Sequence, residues 1–451
     1  MTKKTFLYGL RRGLGGPIIE LQSNPNRLQY KDIVLRCCLK DIAYDTQVEG
    51  TKGYYLYTAI CALGTKDEFE DILIDAFMKR IEHRLFKQLA DIICLYADDG
   101  SEKARDALRV KYEDLAQRLS RQRVFSHKFC ERKQFEHLMI CEVDAHKWSG
   151  FKKCIADAGR IILKRKDDVC NSYDWFLCRC ENIFSKERIA RYFDKASLSS
   201  EEVKAFVDAT VRLRKIYEDN MSLRKKMEIG LENYVARARE LEKSSYAYMS
   251  IYGIARWFFK QASQDDLLKL VCIIESEQSD EVRANLLHVF RLIDFPVDIG
   301  MLVKYAKSDC HRLQKAAVNA LGRFKDRRVR DLAVEFMDAG NLDAGLDLMT
   351  NNWSKRDEPF IRRHVLSSKK VSHSMQMSLR DIYDKHRSSS CGDILEHVYR
   401  NGYCTFCRFG IVEAMWRSRV LKQSVLNECL YDSYYDTRKL AKRIKNKSNL
   451  F

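Results

Sequence analysis

The chain has 451 residues, a formal net charge of +17 and a hydrophobic fraction of 46%. That apolar content excludes an intrinsically disordered chain. Four prolines and 19 glycines are too few for a fold built on many β-turns, so long helices with short connections are expected.

The N-terminal region, residues 1–119, is predicted to consist of helical hairpins. Apolar residues recur at helical spacing in residues 29–40, 53–63, 67–80, 84–98 and 101–119. The glycine-rich residues 9–16 lack the Gly-Lys-Ser/Thr of a phosphate loop and follow no predicted strand. We therefore interpret them as a flexible connection between helices.

The middle region, residues 120–245, is predicted to form long, highly charged helices. It contains four nitrogen and sulfur side chains that could bind a metal ion: His127, Cys130, His137 and Cys141. If residues 132–146 form one helix, His137 and Cys141 share a face, one turn apart. A zinc site requires four converging ligands, and the sequence leaves open whether these four side chains converge. We expect each of them to pack separately from the others, and we assign no metal site.

The C-terminal region, residues 246–451, contains a repeated phrase. Ser279-Asp280-Glu281-Val282-Arg283 begins one helical pattern, and Ser308-Asp309-Cys310-His311-Arg312 begins the next. The interval between them is close to the period of about 30 residues that is typical of stacked helical hairpins. The predicted helices of this region are 265–275, 280–293, 297–307, 311–324, 326–337, 341–353, 360–366, 374–386, 391–399, 404–417, 424–430 and 435–444.

The Asp-x-x-Arg helix starts, the alanine-lined second helices and the interval between the phrases resemble the HEAT-repeat (armadillo-like) α-solenoid superfamily over residues 265–353. The resemblance extends to residues 424–444. It implies an all-α fold, an α-α superhelix of degenerate helical hairpins that binds proteins or nucleic acids. It fixes no activity.

In such repeats the opening aspartate caps the second helix, and the arginine pairs with an aspartate of its own or a neighbouring repeat. The predicted pairs in this ladder are Asp280/Arg283, Asp309/Arg312 and Asp436/Arg438. The alternative for each is an isolated surface ion pair, which contributes little stability.

Clusters of basic residues are the clearest sequence signal for a binding site. The main candidate for binding nucleic acid or an acidic partner comprises Arg323, Lys325, Arg327, Arg328 and Arg330. Similar clusters occur at residues 118–133 and 438–447. Basic residues lining one face would neutralise several phosphates, whereas interleaved acidic residues favour an ordinary solvated surface.

Cys404-Thr405-Phe406-Cys407 is a single CxxC motif. A redox motif would require a βαβ context, and a zinc knuckle would require a second pair nearby. The surrounding sequence is predicted to be helical, and no second pair follows. We therefore expect both cysteines to be small apolar residues of the core.

No motif for nucleotide hydrolysis or for Ser/His/Asp chemistry is present, and no cofactor or catalytic residue is assigned. We expect a non-enzymatic scaffold that binds another protein. The alternative is a basic solenoid that binds nucleic acid through its phosphate backbone. A third possibility comes from HEAT-like alkylpurine DNA glycosylases, but Trp257, Trp353 and Trp416 are scattered and no aspartate matches that family's arrangement.

A cytoplasmic location is expected, because the apolar stretch after Lys3 and Lys4 ends at Arg11 and is too short for a signal peptide. In addition, no uncharged stretch is long enough to span a membrane. The 16 cysteines would then be mostly reduced.

Overall fold

The computed structural model of the protein describes residues 1–79, 81–121, 129–165, 171–226, 229–243, 247–368 and 370–448. None of these residues forms a β-strand, which confirms the all-α prediction. No helix in these ranges combines the length and apolar character needed to cross a bilayer.

The helices of the first half of the chain, in order, are α1 (Lys3–Arg12), α2 (Gly16–Ser23), α3 (Lys31–Cys38), α4 (Thr46–Glu49), α5 (Gly53–Leu63), α6 (Lys66–Met78), α7 (His83–Asp98), α8 (Glu102–Arg121), α9 (Phe129–Arg165), α10 (Asn171–Phe184), α11 (Lys186–Ala196), α12 (Glu201–Lys226) and α13 (Leu231–Glu240). A kink at Lys147, where φ is 50°, divides α9 into two segments.

The helices of the second half, in order, are α14 (Ala247–Gln261), α15 (Gln264–Ser276), α16 (Asp280–Leu287), α17 (Gly300–Tyr305), α18 (His311–Leu321), α19 (Arg327–Asp338), α20 (Leu342–Asn352), α21 (Glu358–Ser367), α22 (His373–Lys385), α23 (Gly392–Asn401), α24 (Thr405–Arg417), α25 (Gln423–Cys429) and α26 (Tyr435–Ser448). Short 3-10 turns occur at Arg27–Tyr30, His288–Arg291 and Lys355–Asp357.

The chain forms two compact units. Unit 1 comprises Met1–Leu223 together with Leu426–Phe451, and unit 2 comprises Arg224–Val425. The three regions delimited from the sequence, 1–119, 120–245 and 246–451, stay a prediction.

Unit 1 joins the two ends of the chain through the turn between α1 and α2. The backbone N–H of Ser433 donates to the carbonyl of Gly13 over 2.9 Å. A Cβ atom on Gly15 would lie 1.8 Å from the carbonyl oxygen of Glu428. The glycine-rich stretch therefore permits a close backbone approach.

Unit 2 is a stack of helical hairpins. Each hairpin has a first helix (α15, α17, α19, α21 or α23) and a second helix (α16, α18, α20, α22 or α24). The second helices pack on one another in chain order. They begin at Asp280, His311, Leu342, His373 and Thr405. The number of residues between successive starts is nearly constant and is slightly larger than the number between the two repeated phrases.

Two predicted helices, the second of the first pair and the first of the next pair, differ most from the observed bounds. The predicted helix 280–293 ends at Leu287 and continues as a 3-10 turn. The predicted helix 297–307 begins only at Gly300. The side chain of Asp298 accepts a hydrogen bond from the Gly300 N–H (2.8 Å), which favours a turn ahead of the helix.

The predicted capping by aspartate is wrong at both repeated phrases. Ser279 caps α16, because its hydroxyl accepts the N–H of Val282 (3.3 Å). Helix α18 has Cys310 at its N-cap position, so Asp309 lies one residue before the cap. A serine hydroxyl is as effective a cap as a carboxylate.

The predicted ladder forms with partly different partners. Arg283 pairs with Asp280 of its own repeat (2.7 Å), as predicted. Arg312 instead donates to the Asn285 side chain (2.7 Å) of the preceding repeat. Arg438 donates to the carbonyls of residues 432 and 433, so these bonds of Arg312 and Arg438 do not involve the predicted aspartates.

Candidate functional site

The predicted basic cluster lies at the junction of α18 and α19, and most of its arginines bind carboxylates of adjacent hairpins. Arg323 pairs with Asp294 (2.8 Å) and Arg328 with Asp298 (2.9 Å), both in the preceding hairpin. Arg330 pairs with Asp357 of the following hairpin. These three residues therefore connect hairpins within the stack.

The other two members of the cluster extend into solvent. The Arg327 side chain is 92% exposed and approaches Asp331 at 3.6 Å. Lys325 is also exposed. Four of the five cations thus have carboxylate partners, three of them in adjacent hairpins, so the cluster offers much less positive charge to a ligand than the sequence suggests.

The two other basic clusters differ from one another. In the cluster at 118–133, Arg118 pairs with Asp114 (2.6 Å) and Glu131 (3.1 Å), while residues 122–128 lie outside the described ranges. In the cluster at 438–447, the guanidinium of Arg438 lies 4.6 Å from the centre of the Tyr54 ring. The exposed basic residues of the latter cluster are Lys439, Lys442, Arg443, Lys445 and Lys447.

The four possible metal ligands of the middle region are only partly described. His127 lies outside the described residues, and the side chain of Cys130 is not among those described. The His137 ring bonds to the carboxylate of Asp91 (2.8 Å). Cys141 is buried, and a hydrogen bond with Cys94 is the main cause of its raised pKa, followed by burial. His137 and Cys141 thus contact different partners on α7.

A second group of nitrogen and sulfur side chains converges in unit 2. His373, Cys404 and Cys407 each offer one ligand atom, and these three atoms lie within 4.8 Å of one another. Across the described part of the chain, this is the sole set of three or more His, Cys, Asp or Glu side chains that meets so closely.

Helix starts position all three side chains. Cys404 is the N-cap residue of α24, and its sulfur accepts the N–H of Cys407 (3.4 Å). His373 is the first residue of the neighbouring helix α22. Its Nδ1 lies 3.3 Å from the sulfur of Cys407. Because α22 and α24 stack side by side, their first turns meet.

Two neighbouring polar residues fix these helix starts. The hydroxyl of Ser372 accepts the N–H of Met375 (2.9 Å) and donates to Asp343 (2.5 Å), which caps α22 directly before His373. The buried amide of Gln376 donates to the carbonyl of Cys404 (3.4 Å).

The electrostatic environment favours a thiolate at Cys404. A hydrogen bond from the Cys407 side chain is the main cause that lowers the pKa of Cys404. The backbone N–H of Cys407 and the His373 ring lower it further, against the opposing effect of burial. A thiolate is the form of cysteine that binds metal ions and attacks electrophiles.

Both cysteines of the predicted core are indeed buried, with 2% and 1% of their surface exposed. Sequence reasoning did not find their histidine partner, which begins the preceding second helix. The signal that could have found it is the repeat interval, because residues one interval apart occupy equivalent positions on adjacent second helices.

Several large apolar side chains on and beside α22 and α24 are exposed. Met377 on α22 and Trp416 on α24 have 39% and 40% of their surface exposed. Tyr403 and Phe406, beside Cys404, are exposed to a similar degree. Methionine and aromatic residues are enriched at protein interfaces.

Unit 2 also has an open cavity of about 920 Å³ at the ends of α17 and α18. Its lining combines acidic and basic residues, including Glu275, Asp280, Arg283, Lys304 and Lys307. A lining of mixed sign suits a polar or zwitterionic surface better than a polyanion.

In comparisons with known proteins, no protein-family model and no curated protein matches this chain.

Proposed function

We propose that the protein is a non-enzymatic helical-repeat scaffold, related to the HEAT repeats, that binds another protein through the second helices of unit 2. A cytoplasmic location is part of this proposal. The cysteines whose side chains are described form no disulfide, as expected in a reducing compartment.

The observation that carries the proposal is the exposure of Met377 and Trp416 on two stacked second helices. Large apolar side chains exposed on adjacent helices can contribute to an interaction site. Charged residues alongside them have both signs: Arg417 pairs with Asp384 (2.9 Å) and Arg380 with Asp381 (2.7 Å). Apolar anchors among charges of mixed sign are typical of protein interfaces.

Binding of nucleic acid has weaker support from the same contacts. A phosphate-binding face requires unpaired cations, whereas Arg323, Arg328 and Arg330 bind carboxylates of neighbouring hairpins. Binding of nucleic acid is favoured by exposed cations, which are those of α26 together with Lys325 and Arg327.

The proposal is tested by affinity capture with the full-length protein from its native host. We expect one stoichiometric partner. Met377→Glu and Trp416→Glu should each reduce its capture by at least about tenfold, because losing an interface anchor costs more than ~1.4 kcal/mol.

Leu268→Glu is the matched control, since Leu268 on the first helix α15 is 40% exposed. The Leu268→Glu variant should capture as much partner as the wild type, and circular dichroism should be the same for all three variants. Equal loss in the control, or repeated capture of no stoichiometric partner, would contradict the proposal.

A further inference from the structure

We propose that His373, Cys404 and Cys407 bind one zinc ion between the first turns of α22 and α24. The three ligand atoms already lie within 4.8 Å of one another. The site is independent of the partner-binding proposal, because it depends on the side chains of this chain alone.

The donor atoms are those that zinc prefers. Cysteine sulfur and histidine nitrogen are its usual protein ligands, and Cys₂His sets with an open fourth position occur in known zinc proteins. If Cys404 and Cys407 were only apolar residues of the core, their burial would be explained. The imidazole nitrogen of His373, 3.3 Å from the Cys407 sulfur, would not be explained. Aliphatic neighbours would serve a purely packing role equally well.

The spacing between the Cys407 sulfur and the His373 ring is close to that of two ligands on one zinc ion. With Zn–S bonds of ~2.3 Å and Zn–N bonds of ~2.0 Å, tetrahedral ligand atoms lie about 3.5–3.8 Å apart. The sulfur of Cys407 lies 3.3 Å from Nδ1 and 3.9 Å from Nε2 of His373. Small side-chain rotations would therefore be enough to surround the ion.

The backbone around the ligands is held in place before any ion binds. Ser372 caps α22, and Gln376 holds the carbonyl of Cys404. A Cβ atom on Gly402 would lie 2.2 Å from the amide nitrogen of Gln376, so this segment passes close to that side chain. Supporting contacts of this kind orient metal ligands and raise affinity.

The burial of the three ligands indicates how an ion would reach the site. Its side chain is exposed, whereas the two sulfurs are buried. An ion can therefore reach the sulfurs from the solvent side of the imidazole. Three protein ligands leave the fourth position for a water molecule.

The test uses untagged full-length protein, reduced and freed of metal. Zn²⁺ is titrated in competition with a chromogenic chelator, and Co²⁺ serves as a spectroscopic probe. We expect one equivalent to bind, with a thiolate-to-cobalt charge-transfer band and the visible bands of tetrahedral Co²⁺.

Variants separate this site from adventitious binding. His373→Ala should weaken zinc binding by more than about tenfold, and Cys404→Ser and Cys407→Ser should each diminish the charge-transfer band. Cys391→Ala is the control, because Cys391 is a buried cysteine of the same unit outside the cluster. It should bind like the wild type.

His373→Ala also distinguishes loss of zinc binding from loss of folding. Because the His373 side chain is exposed, its truncation should leave the circular dichroism of the protein unchanged. Two results would overturn the proposal. They are no binding at one equivalent and binding that persists in both serine variants.

Discussion

Asp357 of unit 2 accepts hydrogen bonds from its own hairpin and from the preceding one. Asp357 is 3% exposed and accepts hydrogen bonds from the Ser354 N–H (2.8 Å), the Ser354 hydroxyl (2.9 Å) and Arg330. Burial tends to raise the pKa of this carboxyl, but the bonds from Arg330 and Ser354 outweigh it and the pKa is lowered. Its ionised form therefore stabilises the fold.

Asp357→Asn should lower the free energy of unfolding at neutral pH by about 1–3 kcal/mol, because a buried charged hydrogen bond is lost. A carboxyl whose folded pKa is lowered stabilises the protein fully above its unfolded pKa of about 3.9, and the effect disappears as pH falls through the folded pKa. The difference from wild type in urea denaturation should therefore be smaller at about pH 3 than at about pH 7.

Asp331→Asn is the control for this prediction. The Asp331 side chain is 57% exposed and lies 3.6 Å from Arg327 and 3.7 Å from Arg330. Because both are exposed surface pairs, its replacement should change the free energy of unfolding by less than about 1 kcal/mol. An equal loss in both variants would show that Asp357 has no special role in the stack.

At the scale of elements, several helix ends are satisfied by side chains from distant parts of the sequence. The amide of Gln88 donates to the carbonyls of Cys37, Cys38 and Lys40 at the end of α3. The ammonium group of Lys111 donates to the carbonyls of residues 78 and 79 at the end of α6. Both side chains are buried, and they bind carbonyls that the helices leave without an internal partner.

Close packing between the two helices of one hairpin requires a glycine in α20. A Cβ atom on Gly345 would lie 2.3 Å from the Cγ of Met337 and 2.8 Å from the carbonyl oxygen of Ala333, both on α19. Gly345→Ala should therefore lower the free energy of unfolding by roughly 1–3 kcal/mol, the usual cost of overpacking.

Gly253→Ala is the matched control, because Gly253 is also inside a helix but a Cβ atom there would have no neighbour within 4 Å. Alanine should raise helix stability there by about 0.5–1 kcal/mol. Thermal and urea denaturation of the two variants should therefore shift in opposite directions, and a shift in the same direction would contradict the packing argument.

For the whole molecule, the charge of +17 overstates the positive surface at the predicted basic site. Arginines of that site bind carboxylates of neighbouring hairpins, so fewer cations are available there for phosphates. Net charge determines the long-range field, whereas phosphate contacts require cations that are free to approach the backbone.

We therefore expect weak binding to generic duplex DNA, with a shallow dependence on salt. Six phosphate contacts would give a slope of about −5 in a plot of log K against log salt concentration. The observed slope should be shallower, and Lys325→Ala combined with Arg327→Ala should change it by no more than about 2. A steeper slope that this double variant flattens would instead favour a nucleic-acid site at the predicted cluster.

The sequence alone determined the helical content and much of the hairpin order of unit 2, because helix periodicity and chain breaks are local signals. Residues 53–63 were predicted with the observed bounds of α5, and those of α20 were predicted to within one residue. Only the tertiary structure decided that Arg330 meets Asp357, that His373 meets Cys407 and that Glu428 lies against Gly15. These contacts join residues far apart in the chain, and they depend on how neighbouring helices are aligned and on how closely their backbones approach.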